Sequence, residues 1–176
     1  GSSGQWGGNK TTKEFISLFS STDKRAMFDK RDGLIEFITD LSKDRQGYRI
    51  TKFTNIRRDG SYIAGGSGSN FVDTDFPMFR LSDAYLMVAE CALNGAGSLD
   101  ATVLGNLNKL RQRAGVPDVS IAAVNSKFLI DERGRELYWE AHRRQDLIRF
   151  GMLEGSQYVW NWKGSVNGSA LPSTIN

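Results

Sequence analysis

The sequence predicts a mainly α-helical fold with a minor strand-and-loop subregion. Three observations carry this. Residues 80–150 contain three stretches whose apolar residues recur at helical spacing. Only two short runs before residue 76 favour strand. The character of the chain changes at Phe76, so 1–75 reads as a loop- and strand-rich subregion and 76–176 as a helical one.

Taken in order, residues 1–10 are Gly/Ser-rich around Trp6 and read as loop. Thr11 and Glu14 form a capping box, and Phe15, Leu18 and Phe19 follow at i, i+3, i+4, which predicts a short amphipathic helix. The stretch STDKRAMF (21–28) suits a further helical turn, whereas 34–39 and 47–55 favour strand, Tyr48 and Ile50 alternating with Arg49 and Thr51. Asp59-Gly60 supplies a turn, and 63–70 is a glycine-rich loop. A helix is expected over 80–94, capped by Ser82 or Asp83, with Leu86, Ala89, Cys91 and Leu93 as its apolar content. Ser98 or Asp100 caps the next, over 100–114, which stops at Gly115 with Pro117 beyond. The pair reads as an αα-hairpin. A third, long helix is expected over 127–150, and all three pack on one another.

Composition removes several function classes. The chain has 23 basic and 20 acidic residues in mixture, which argues against a dedicated nucleic-acid tail. A single cysteine excludes an internal disulfide and a Cys-rich metal site, and a single histidine excludes a paired-histidine motif. No cofactor is implied. No run approaches the ~20 apolar residues that span a bilayer. Both ends read as cut, so the chain is expected to be part of a longer protein.

ERGRELYWEAHRRQDLIRFG (132–151) is the most unusual stretch. Ile130, Leu137, Ala141 and Ile148 share a narrow stripe expected to face the core. Glu132, Glu136, Glu140, Arg133, Arg143 and Arg144 fall in a separate sector. Glutamates spaced by four repel one another, and the arginines are expected to cancel that charge. A catalytic carboxylate pair needs two separated pKa values; carboxylates close to arginines stay ionised. The expected role is an ionic network locking helices together, with Arg80, Arg111 and Arg113 as cross-helix partners.

These stretches resemble the SusD/RagB family. Arg80 to Glu90 fits its Arg-x-(Ser/Ala)-(Asp/Glu)-x-Tyr-Leu-x-x-Ala-Glu idiom, Asn108 to Ala114 its Asn-x-(Leu/Val)-Arg-x-Arg-Ala run, and Glu132 to Gly151 its closing charged motif. Ala141 stands where a glycine is usual. The resemblance implies the SusD fold and a C-terminal portion of it, spanning 1–176, without the N-terminal tetratricopeptide-like helix pairs and the extreme C-terminus. It also implies a non-enzymatic, glycan-binding lipoprotein of the cell outer membrane. The lipid anchor would be on the missing N-terminal region, and the partner a SusC-like TonB-dependent transporter.

Sugar capture needs aromatic faces and polar side chains, commonly on loops held by a scaffold. Trp6, flanked by Gly4, Gly7 and Gly8, fits, with Asn9 and Lys10 as polar candidates. Tyr158, Trp160 and Trp162 alternate and suit a strap packed on helices or a second platform. Tyr62 is a weaker candidate. Asp73 and Asp75 are too few for a calcium site, and His142 is expected to be structural. Two other readings remain open: a glycoside hydrolase using Glu132, Glu136 or Glu140, and a helical scaffold that binds only protein.

Overall fold

The computed structural model describes residues 10–30, 33–36, 38, 40, 43, 45–57, 59–61 and 74–153. Among them are five α-helices and one two-stranded antiparallel sheet, a mainly helical architecture as the patterning predicts. They divide into two compact units: residues 10–16 with the described part of 27–76, and residues 17–26 with 77–153.

The first unit holds the strands. β1 (Phe28–Asp29) pairs with β2 (Arg49–Ile50), Phe28 opposite Ile50. The stretch 21–28 therefore ends in a strand, not a helical turn. A partner strand is available: Thr51 N–H donates to the Met27 carbonyl at 2.9 Å. The strand expected over 34–39 reduces to one bridge, Ile35 with Gln46. The helix α1 (Lys13–Ile16) is a single turn. Its cap is Thr12, whose Oγ1 accepts from Phe15 N–H at 3.5 Å, one residue later than expected. Thr11 is buried and spends its N–H on the Tyr48 carbonyl, 2.9 Å away. The Phe15 ring packs edge-on against Phe28, 6.2 Å between centroids. At the Asp59-Gly60 turn, Asp59 accepts from both the N–H and the hydroxyl of Ser61, at 2.9 and 2.7 Å.

The second unit contains α2 (Leu81–Leu93), α3 (Ala101–Ala114), α4 (Ser126–Leu137) and α5 (Arg143–Arg149). α2 lies against both α3 and α4, and α4 against α5. Leu86, Leu107 and Leu129 are wholly buried, joined by Ala89, Val103, Leu110 and Leu137. Each of the large side chains contributes about 1.5–3 kcal/mol by leaving water. Cys91, expected among this apolar content, is exposed. Asp100 caps α3, its carboxylate accepting from Thr102 and Val103 N–H at 2.9 Å each. Gly115 closes α3 at φ 74°, a left-handed conformation open to glycine. Asn125 caps α4. Neither Ser82 nor Asp83 caps α2: Arg80 occupies the cap position, and Asp83 is held by Arg133.

The long helix expected over 127–150 is two helices. After Leu137 the chain turns through Trp139 (φ 62°) and Ala141 (φ 63°), the two non-glycine residues at positive φ among the described residues. The break shifts the helical phase. Ile130 and Leu137 stay buried, whereas Ala141 and Ile148, expected on the same stripe, are exposed. Left-handed backbone costs an ordinary residue roughly 1–2 kcal/mol, and glycine escapes it. This is the physical reason a glycine suits position 141. Ala141→Gly is therefore expected to stabilise the fold by up to about 1 kcal/mol, since the relieved strain exceeds the ~0.4–1 kcal/mol of unfolded-state entropy that glycine adds. Urea unfolding would show a higher midpoint at unchanged m value.

Candidate functional site

The second unit is held through its middle by ion pairs. Glu132, Glu136 and Glu140 project from α4 and the turn after it, and their side chains are at most 1% exposed. Arg25, from the strap 17–26, donates to Glu132 at 2.7 Å and to Glu136 at 3.3 Å. It also holds Asp23 through Nε and Nη2 at 2.9 and 2.8 Å. Arg111 of α3 reaches Glu132 at 2.9 Å, and Arg113 reaches Glu136. Arg135 grips Glu132 at 2.6 Å and spends another nitrogen on the Leu18 carbonyl. Arg80 takes Glu140 in a two-pronged grip at 2.7 and 2.8 Å. It also donates to the Glu136 carboxylate and to the Glu136 carbonyl, which the end of α4 leaves without a helical partner.

A second cluster ties α5 to α2 and α4. Arg133 lies 2.9 Å from both Asp83 and Asp146, as ion pairs without the alignment of guanidinium hydrogen bonds. Arg149 joins Glu90 of α2 to Asp146. Together the two clusters match seven arginines with seven acids, so the array is neutral as a whole.

Burial would raise the carboxyl pKa of Glu132, but the charges of Arg25 and Arg135 outweigh it and hold the group below its ordinary value. At Glu136 burial is likewise overcome, here by Arg113, Arg80 and Arg25. A general acid needs the opposite shift. These carboxylates are locked as anions and do not suit proton transfer.

The partners differ from those expected along the helix. Arg133 pairs with neither Glu132 nor Glu136; its guanidinium lies instead against Asp83 of α2 and Asp146 of α5. Arg143 lies beyond the break and donates to the Ile130 carbonyl at 2.7 Å. A Cβ on Gly134 would stand 2.9 Å from Arg143 Nη1, so this glycine leaves room for that reach. Arg144, also past the break, is exposed, with no ion pair among the described residues. Arg25 was invisible to sequence reasoning: it sits in a loop, where no periodicity assigns it a face.

Of the residues singled out for sugar contact, Trp6 and Asn9 lie outside the described residues, as do Tyr62, Asp73, Tyr158, Trp160 and Trp162. Lys10 Nζ donates to the Lys43 carbonyl at 3.1 Å. Asp75 is exposed. The His142 side chain makes no capping bond at the start of α5.

Helices pinned by neutralised, buried acids define a rigid frame, the kind of scaffold on which a binding protein carries its ligand contacts. The chain belongs to the SusD family, which it matches over residues 38–173. This is a family of non-enzymatic binding proteins. The chain is 43% identical over 137 residues to "Starch-binding protein SusD" of Bacteroides thetaiotaomicron, covering 77% of this chain and 23% of that protein. It is 32% identical over 150 residues to "SusD-like protein P25" of Formosa agariphila, covering 81% and 25%. The chain thus spans about a quarter of the length of these curated relatives. A SusD superfamily crystal structure from Bacteroides vulgatus shares the fold at a TM-score of 0.54 and 24% identity, covering 82% of this chain and 34% of that one. Another, from Parabacteroides distasonis, matches at 0.50 and 23%, covering 93% and 34%.

Two outcomes follow from the array. Glu136→Gln leaves Arg25, Arg80 and Arg113 short of a buried countercharge and is expected to lower stability by about 3–5 kcal/mol in denaturant unfolding. Glu132 and Glu136, with folded pKa values below the ordinary 4.5, bind fewer protons folded than unfolded. Their contribution is complete above pH 4.5 and lost as pH falls through the folded values. The urea midpoint should therefore hold on mild acidification and drop below pH 4.5.

Proposed function

We propose that the full-length protein binds glycans at the outer surface of the bacterial outer membrane, without cleaving them. It passes them to a SusC-like, TonB-dependent barrel transporter. The observation that carries this reading is the 43% identity to the starch-binding relative over 137 residues. The locked state of Glu132 and Glu136 supports capture over hydrolysis, because neither carboxyl is poised to give or take a proton. In this reading Trp6 supplies a stacking face from its glycine-rich stretch of sequence, and Asn9 and Lys10 hydrogen-bond to hydroxyls. The ionic array serves architecture alone: Arg80, Glu132, Arg133, Glu136 and Glu140 hold the helices of the second unit together.

Affinity electrophoresis of the full-length protein through gels containing single soluble polysaccharides tests the proposal. At least one polysaccharide should retard the protein, with no release of reducing sugar on prolonged incubation. Trp6→Ala should weaken retardation about tenfold while the melting temperature stays unchanged. Migration unaffected by every polysaccharide would point instead to a protein-binding scaffold, and release of reducing sugar to a hydrolase.

A further inference from the structure

Trp139 combines two features found together nowhere else among the described residues. Its side chain is large, apolar and 47% exposed, and its backbone lies at φ 62°. Exposure alone does not single it out. Phe79 and Met78 are more exposed, but neither has a positive φ. Among the described residues no ring contact or hydrogen bond engages the Trp139 indole.

The residues on either side are fixed. Tyr138 is buried, its hydroxyl donating to the Arg25 carbonyl at 2.7 Å and its ring edge-on to Phe19 at 5.7 Å. Glu140 is buried in the grip of Arg80. Strain of this kind persists only where the surroundings over-determine it, and it concentrates at binding sites. Here the ionic array supplies that constraint, and its product is a tryptophan held outward from the turn. An aromatic with only two side-chain torsions, on a fixed backbone, presents a face with little further ordering on binding. In the residues that follow, His142, Arg144 and Gln145 have no side-chain partner among the described residues.

We propose that Trp139 is a sugar-stacking residue: its indole takes the apolar face of a pyranose ring, and His142, Arg144 and Gln145 bond to hydroxyls of the same glycan. This rests on the glycan-binding function proposed above and adds to it a contact site separate in sequence from Trp6. The site lies on the turn between α4 and α5, beside the array that stiffens it.

The test uses the full-length protein with amylopectin, a barley β-glucan, a xylan and a pectin as probes, carrying forward whichever retards the wild type. Trp139→Ala and Trp139→Gly should each weaken retardation at least tenfold, and Trp139→Phe by about threefold. The melting temperature of Trp139→Gly should equal or exceed that of the wild type, because glycine relieves the backbone. Equal retardation of wild type and all three variants would overturn this site while leaving the glycan reading intact. A lowered melting temperature in both the Gly and Ala variants would also overturn it, showing that the ring packs within the full-length protein. A wild type retarded by none of the probes would remove the glycan reading itself, and this site with it.

Discussion

The second unit depends on guanidinium groups and carboxylates taken out of water together. Removing either ion alone costs several kcal/mol, and mutual attraction offsets this only when the geometry is good and the remaining lone pairs are satisfied. Glu132 and Glu136 meet that condition. Glu132 is approached by Arg25, Arg111 and Arg135, and Glu136 by Arg25, Arg80 and Arg113. Arginine is suited to this because its planar fork serves two acids, or an acid and a carbonyl, at once. Arg80 does both, gripping Glu140 while capping the Glu136 carbonyl near the end of α4. Such an array adds little net stability over a well-packed apolar core. Its consequence is specificity: the strap, α2, α3, α4 and α5 each hold one half of a pair whose other half lies elsewhere.

The same array accounts for the interruption between α4 and α5. A continuous helix would carry Glu140 onward along its own face. Instead the chain turns through two left-handed residues, and Glu140 reaches Arg80, which begins α2. The turn leaves Trp139 exposed between two buried neighbours. Electrostatics built for rigidity also remove the chemistry that a row of glutamates suggests. A carboxyl held by arginines stays charged, and a carboxyl that stays charged is no general acid.

Much of the helical frame was legible because its signals are local. Asp100 and Gly115 bracket α3 with side-chain and backbone chemistry contained within a few residues. Leu86 and Ala89 announce the buried face of α2 by spacing alone. What the sequence concealed is tertiary. Thr11 reads as a cap, but a strand-like partner, Tyr48, claims its N–H. The break at 138–142 contains neither proline nor glycine, so periodicity runs through it unmarked. Only Ala141, in a place where the family resemblance expects glycine, hints at the left-handed backbone. Grouping the arginines of α4 and α5 with its glutamates assumed one continuous helix, and the break sends Arg143 and Arg144 elsewhere. Trp6 and Asn9, proposed for sugar contact, lie outside the described residues, and their assignment rests on sequence pattern alone.

The central claim is that the pairs in this array couple strap to helix. A double-mutant cycle between Arg25 and Glu132 tests it most directly, using Arg25→Met, Glu132→Gln and the double variant in equilibrium unfolding of the full-length protein. Buried, shared pairing predicts strong non-additivity, with a coupling energy of about 2–3 kcal/mol. Single-variant effects that add to within ~0.5 kcal/mol would mean the two groups do not depend on each other, and would contradict it.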